Sequence, residues 1–484
     1  MTTSHPHPVS PFLELGKRIN PLKLELEAID RNTAKWNWDE SALEKVEELR
    51  KIARENTNLI RGDLDKLLNW PDERSSDPEL FYGGKHDTFI RDKTWFADMG
   101  FARHETMYTF TDTWDCAPVH ATFLVPNNIQ AGKKVPIVWF FHGGGLCTGA
   151  NDHIPWYSQS TLEFAKEHQA VIIAPDYPLG PEANYRDILR AIKDFLRWYK
   201  EDGYFKADKG DQEKHWKSWL LKRINIAGVE LDTESVYLEG ESAGGTVAVT
   251  ALWANADKKT GTHLPIKAAL LRYPMIAHYK RDFPLNNAPL PYMGKEFTRA
   301  QVEEQAQAIW DEVQKLDHAL RMPMRTKGYA PQYMSGAFLL STTKLWQELF
   351  QRTHQVDFLN ANAQVGPTVN EDLYDGLERA EYLSGHVNHD LLPPIVMYHG
   401  YDDANCPIAD TEKFKSLLVK NYPSRYVDGD TVVLHTVTHS KSVLHGFDYD
   451  LEREREPFLK EAYGRIQHFW IDNASSDRKK KLLW

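Results

Sequence analysis

Seven consecutive apolar residues, Val135 to Phe141 (VPIVWFF), run straight into His142-Gly143-Gly144-Gly145. A run this short and this apolar, stopped by glycines, reads as a strand buried on both faces, because a half-buried strand would alternate polar and apolar residues. The pattern recurs in Ala170 to Ala174 (AVIIA), Val236 to Leu238, Ile266 to Leu271, Ile395 to Tyr398 and Val432 to Thr436. Met107 to Phe110 and Val119 to Val125 read as shorter strands ahead of it. Helical spacing marks Tyr185 to Tyr199, Ala243 to Ala254, Ala409 to Leu418 and Phe458 to Phe469. Strands alternating with helices predict an α/β fold, a mostly parallel central sheet covered by helices on both faces.

The alternation stops near Pro274 and resumes at Ile395. The stretch between holds helical segments such as Arg299 to Leu316 and Thr342 to Phe350, so 275–390 reads as a helical insertion. Within 203–234, a further helix is expected at His215 to Leu221. Ahead of the strands, Leu43, Val46, Leu49 and Ile52, then Leu59, Ile60, Leu64 and Leu67, recur at three and four residues as in amphipathic helices.

Composition narrows the class. Basic residues number 58 and acidic 69, a net charge of −11, which does not suit a general nucleic-acid binder. Three cysteines (Cys116, Cys147 and Cys406) are too few for a disulfide framework and fit a reducing compartment. The first residues lack the apolar core of a secretory signal, and no long apolar stretch is present. The expected location is cytoplasmic, with no membrane span.

The chemistry is carried by Gly240-Glu241-Ser242-Ala243-Gly244, a G-x-S-x-G sequence between an apolar strand and an apolar helix. In that setting the serine sits in a sharp turn with its hydroxyl exposed. The glycines of His142-Gly143-Gly144-Gly145 let backbone N–H groups approach a ligand, as an oxyanion hole requires. No phosphate-loop lysine follows them. A serine nucleophile needs a base, and the base an orienting carboxylate, in the chain order serine, acid, histidine. Asp403, in D-x-x-C-P after the Ile395 strand, is the favoured acid and Asp402 its rival. His445, in His445-Gly446-Phe447, is the favoured base, with His439 the second candidate.

These residues resemble the hormone-sensitive-lipase-like (fold-3) carboxylesterases of the α/β-hydrolase fold. The resemblance rests on HGGG at 142–145, GESAGG at 240–245, HGF at 445–447 and D-Y-P-L-G-P-E at 176–182. It spans about 106–280 and 391–474. It implies Ser242 as nucleophile, His445 as base and acid, Asp403 as orienting acid, and N–H groups of Gly143, Gly144 and Ala243 as the oxyanion hole. It also implies hydrolysis of a small-molecule carboxylic ester without metal or cofactor. An amidase, lactonase, acyl-transfer or lyase enzyme on the same scaffold remains open, as does a non-enzymatic receptor. The expected organisation is an N-terminal helical cap region at 1–105 and a catalytic domain at 106–484, interrupted by a cap insertion at 275–390. The segment at 176–182 departs from the family's D-Y-R-L-A-P-E at Pro178 and Gly180.

Trp156 and Tyr177 are expected near the mouth of the site, where they either line a substrate pocket or pack in the core. Met322, Met324, Tyr329, Tyr333, Met334 and Phe338 form a Met- and aromatic-rich segment expected either to roof the site or to pack within the cap. Glu241 is a candidate for a hydrogen bond that supports the loops. His386, His389 and Asp390 have a spacing that could hold a metal, but a solvated helix end explains them as well. Spacing does not define the oligomeric state.

Overall fold

The computed structural model describes residues 11–28, 40–70, 93–200 apart from 112, 114 and 116, 216–277, most of 283–354, 375–438 and 444–472. Cys116, His215 and His439 lie outside the described residues.

Among the described residues, eight strands make one sheet: β1 (Phe101–Phe110), β2 (Pro118–Pro126), β3 (Lys134–Phe141), β4 (Val171–Pro175), β5 (Glu230–Glu241), β6 (Ile266–Arg272), β9 (Ile395–Gly400) and β10 (Val432–Val437). Two short strands in the insertion, β7 (Leu290–Tyr292) and β8 (Lys295–Phe297), pair separately. The sheet order is β1-β2-β4-β3-β5-β6-β9-β10. β2 is antiparallel to both its neighbours, and every other pair from β4 to β10 is parallel.

The side-chain period of two explains the unbroken apolar runs. Ile137, Trp139 and Phe141 of β3 enter one core, while Val138 and Phe140 enter the other. Both faces are dry because helices cover both. β1 lies at an edge and carries the exposed Arg103, so only its second half looks like a strand from composition.

β4 and β5 flank β3 on opposite sides, so the strand order reverses there. A crevice opens beyond the carboxyl ends of strands at such a switch point. Those ends are Phe141 and Glu241; Phe141 pairs with Gly240, the residue just before Glu241.

Helices Pro11–Ala28 and Glu40–Leu68 precede the sheet, and Arg299–Leu320, Met334–Ser341 and Leu345–Gln351 lie in the insertion. The break between the last two falls at 342–344, so the stretch read as one helix over Thr342 to Phe350 starts later, at Leu345. Leu64 and Leu68 share one buried cluster with Val302, Ile309, Val313 and Leu316, so the N-terminal helix and the insertion pack together and onto the sheet. No helix among the described residues is long and apolar enough to cross a membrane.

One buried carboxylate joins three parts of the chain. Glu182, fully buried, accepts from Arg61 of the N-terminal helix at 2.6 Å and from Arg325 of the insertion at 2.5 and 2.8 Å. Arg352 donates to the Glu182 carbonyl at 2.6 Å. Burial alone would raise the carboxyl pKa. The two guanidinium groups outweigh it and hold the group down at about 2. Removing one partner from a buried ion pair typically costs about 3–5 kcal/mol.

Because the folded value lies below the unfolded one, this anion stabilises the fold above its unfolded pKa of 4.5, and the contribution fades as pH falls toward the folded value. Glu182→Gln should therefore lower Tm most at neutral pH, with the gap to the parent narrowing between about pH 5 and about pH 3. Calorimetry across that range checks this, and a pH-independent gap would show that the charge itself is not what the arginines hold.

Candidate active site

β5 ends at Glu241 and the helix Ala243–Ala256 begins two residues later. Ser242 makes the turn between them with φ 51° and ψ −122°. A positive φ at a non-glycine residue is uncommon and costs on the order of 1–3 kcal/mol. The flanking glycines make the turn sterically feasible. A Cβ on Gly244 would lie 2.0 Å from the Phe141 carbonyl oxygen, and one on Gly240 would lie 2.4 Å from that of Gly244. The Ser242 N–H donates to the Arg272 carbonyl (3.0 Å), and the Ser242 carbonyl accepts from Gly245 (2.9 Å) and Met275 (2.8 Å).

His445 stands beside this turn. Its Nε2 lies 2.8 Å from the Ser242 hydroxyl, and its Nδ1 lies 2.7 Å from Asp403 Oδ2. With Nδ1 protonated toward the carboxylate, Nε2 is the acceptor for the serine O–H. Asp403 follows β9 in a tight turn whose Asn405 and Cys406 N–H groups donate to its other oxygen at 2.8 and 2.9 Å. Burial opposes its ionisation, but His445, with hydrogen bonds from His399 and His445, holds the carboxyl well below the usual range. Asp402, the rival acid, is exposed, and His445 reaches Asp403 instead. The Tyr273 ring packs edge-on to the His445 imidazole at 4.8 Å.

The glycine run lies against the elbow. The N–H of Gly143, expected to face an oxyanion, donates to Glu241 Oε1 (3.2 Å). The N–H groups of Gly144 and Ala243 have no acceptor among the described residues. A Cβ on Gly144, at φ 104°, would strike the Thr148 carbonyl and the Trp156 ring. Trp156 thus packs under the run rather than standing in an open mouth. Tyr177 likewise takes the packing alternative. It is fully buried, its ring stacked on His142 at 4.3 Å and its hydroxyl donating to the His142 carbonyl at 2.7 Å. Its role is to hold the loop from behind. Burial pushes the His142 imidazole down to about 3, so it is neutral. From the insertion, Ala337 comes within 3.1 Å of where a Gly145 Cβ would be. Met322, Met324 and Phe338 of the Met- and aromatic-rich segment are buried and Tyr329 is exposed.

Beneath the elbow lies a buried charge network that spacing alone did not reveal. Arg272, fully buried at the end of β6, binds Asp448 (2.8 Å), Glu239 (3.2 Å) and Glu241 (3.3 Å). Tyr273 and Tyr398 donate to Asp448 at 2.6 and 2.5 Å. The available signal was a lone arginine closing the apolar run of Ile266 to Leu271, and an aspartate directly after His445-Gly446-Phe447.

Two histidine groupings resemble metal sites. Glu105, His120 and Asp176 bring one ligand atom each within 4.8 Å of one another. A cation already belongs to that cluster: Lys327 Nζ is 2.6 Å from Glu105 and 3.5 Å from Asp176. His386 is exposed, and His389 turns its Nε2 to the Ser384 carbonyl (2.7 Å), so the two do not converge on a ligand.

Residues 138–339 match the family described as alpha/beta hydrolase fold. That match, the strand order and the serine elbow place the chain in the α/β-hydrolase fold. Relatives it resembles over part of its length include a probable carboxylesterase and arylacetamide deacetylases. It is 31% identical over 134 residues to the probable carboxylesterase M8 of a Phoma species, covering 27% of this chain and 37% of the relative. It is 24% identical over 229 residues to arylacetamide deacetylase of Bos taurus, covering 45% and 47%. The chain thus spans less than half the length of either curated relative. The solved esterase LipW of Mycobacterium marinum superposes with a TM-score of 0.42 at 16% identity, over 94% of this chain and 96% of that one.

Burial pushes the Glu241 carboxyl up to about 7; Arg272 opposes the rise and Asp448 adds to it. The folded chain therefore keeps a proton that the unfolded chain releases from 4.5 upward, and stability falls as pH rises through that window. Glu241→Gln should flatten the pH dependence of the urea midpoint between about pH 5 and about pH 7. An undiminished slope in the variant would assign the titration to another group.

Proposed function

We propose that this protein is a serine hydrolase that cleaves a carboxylic ester of a hydrophobic small molecule through an acyl-serine intermediate. The observation that carries the reading is the hydrogen-bonded series Asp403–His445–Ser242 on a strained elbow, at 2.7 and 2.8 Å. The resemblance to carboxylesterases over part of the chain supports it.

In the proposed reaction, Ser242 Oγ attacks the ester carbonyl while His445 Nε2 takes the hydroxyl proton. Asp403 orients the ring and stabilises the imidazolium. The carbonyl oxygen becomes an oxyanion facing the N–H groups of Gly144 and Ala243, at the N-terminus of a helix whose dipole favours negative charge. Collapse breaks the ester C–O bond, and His445 returns the proton to the leaving alkoxide. Water then attacks the acyl-serine by the same route, releasing the acid and restoring Ser242. No step draws on a metal or cofactor. Leu146, directly after the glycine run, and Ala337, against Gly145, offer apolar contacts that favour a hydrophobic substrate. In this reading the N-terminal helices and the 275–390 insertion act together as a cap.

Amide cleavage is a second reading, favoured by the likeness to a protein named arylacetamide deacetylase. The acyl-enzyme is common to both. Matched p-nitrophenyl esters and anilides of rising acyl length separate the two by relative kcat/KM.

Ser242→Ala should lose roughly 10⁴- to 10⁶-fold in kcat on the best ester, with KM little changed. Organophosphonate labelling should map to Ser242. A variant as active as its parent, or labelling at another serine, refutes the mechanism. Asp403→Asn should lose about 10³- to 10⁴-fold in kcat and Asp402→Asn less than about threefold. The reverse order would move the orienting role to Asp402.

A further inference from the structure

Between the Arg299–Leu320 and Met334–Ser341 helices, residues Met322 to Tyr329 form a strap along the loop that follows β3. The Gly149 N–H donates to the Gly328 carbonyl at 2.6 Å, and the Gly328 N–H returns to the Gly149 carbonyl at 2.8 Å. Thr148 adds its hydroxyl to the Gly328 carbonyl at 2.7 Å. The Leu179 N–H donates to the Arg325 carbonyl at 2.8 Å, so the strap bridges two walls of the site.

The Arg325 side chain does more than neutralise Glu182. One terminal nitrogen reaches the Gly180 carbonyl at 2.6 Å, and the other donates to the Cys147 carbonyl at 3.0 Å. Cys147 closes a turn back onto the glycine run. The N–H groups of Cys147 and Thr148 both donate to the Gly144 carbonyl at 3.0 Å. A peptide plane is rigid, so fixing the Gly144 carbonyl also fixes the direction of the next N–H and limits rotation about Gly144 itself. The loop therefore has an anchor at each end: Glu241 holds Gly143, and Arg325 holds Cys147.

We propose that Arg325 is a positioning residue for the oxyanion-binding backbone. A guanidinium from the insertion, seated on Glu182, sets the turn at 144–148 that aims the Gly144 N–H. The cap then supplies part of the reaction geometry as well as covering the site. The proposal rests on the reading of Ser242 as the nucleophile. Arg61 provides the internal contrast: it pairs with the same carboxylate, but its other contacts are Asp65 and the Pro323 carbonyl, and none is to the glycine loop.

The test compares Arg325→Met and Arg325→Lys with Arg61→Met, reading ester kcat and KM, Tm, and hydrogen exchange over 144–149. Arg325→Met should lower kcat by about 10- to 100-fold at a KM within about twofold, because oxyanion donors are misaimed while substrate still binds. Arg61→Met should cost less than about threefold in kcat even where its Tm falls as far. Arg325→Lys keeps a cation against Glu182 but cannot span to the Cys147 carbonyl as a planar fork does, so it should fold and still lose kcat. Added methylguanidinium should restore part of the kcat of Arg325→Ala. Equal kcat losses in Arg325→Met and Arg61→Met, or a loss confined to KM, would overturn the proposal. If the parent neither turns over esters nor labels at Ser242, the hydrolase reading fails separately. Exchange over 144–149 that speeds up in Arg325→Met and not in Arg61→Met would still support the positioning role, and equal exchange would end it.

Discussion

The turn at Ser242 is the constraint around which the molecule is arranged. A residue with a side chain is held at φ 51°, where relaxation of the backbone would be downhill. It stays because its neighbours leave it no other path. Gly240 and Gly244 let strand and helix approach to a separation that a Cβ would forbid. Its N–H and carbonyl are both tied to the β6 side, to the Arg272 carbonyl and the Met275 N–H. Pro274 lies against Gly245, where a Cβ would come within 2.4 Å. The elbow is therefore a property of β5, β6 and the following helix together.

The same strand end supplies the charge that makes this packing tolerable. Glu239 and Glu241 are two residues apart on β5 and project to one buried face. Both have raised pKa values, first because they are buried. Arg272 sits between them and also binds Asp448, which follows His445 by three residues. One guanidinium thus connects the strand that leads into Ser242 to the loop that carries His445. Tyr273 repeats the connection in another form, with its ring on His445 and its hydroxyl on Asp448. Relative placement of Ser242 and His445 to within a hydrogen bond follows from this shared scaffold.

Much of this was legible in the sequence because it depends on period and on short spacing. Unbroken apolar runs located the doubly buried strands, and the glycines around Ser242 located the elbow. β1 was only half visible, since an edge strand with Arg103 and Glu105 lacks an apolar signature. The β7–β8 pair was not visible at all, each strand being three residues long. Asp403 and Asp402 are adjacent, and only the three-dimensional path of the turn shows which carboxylate meets His445. Tyr177 was placed in the right neighbourhood, but spacing does not say whether a ring faces substrate or supports the loop from behind. The hydrogen bond from the Gly143 N–H to Glu241 was invisible to spacing, because it spans 98 residues of sequence.

Long-range charge pairing also explains why the α/β core alone would be incomplete. The segment 176–182 ends in Glu182, fully buried, and carries Pro178 where the family it resembles has arginine. In this fold the cations arrive from outside the sheet: Arg61 from the N-terminal helix and Arg325 from the insertion. Lys327 plays the corresponding part for Glu105 and Asp176. A core stripped of these segments would leave a carboxylate in a dry interior without a counter-charge, a state that burial strongly disfavours. The N-terminal helices and the insertion are thus electrostatic components of the core that holds the site. Variation in them should be constrained at Arg61, Arg325 and Lys327 and looser on their solvent faces, because at these three positions they carry charges that the sheet side leaves uncompensated.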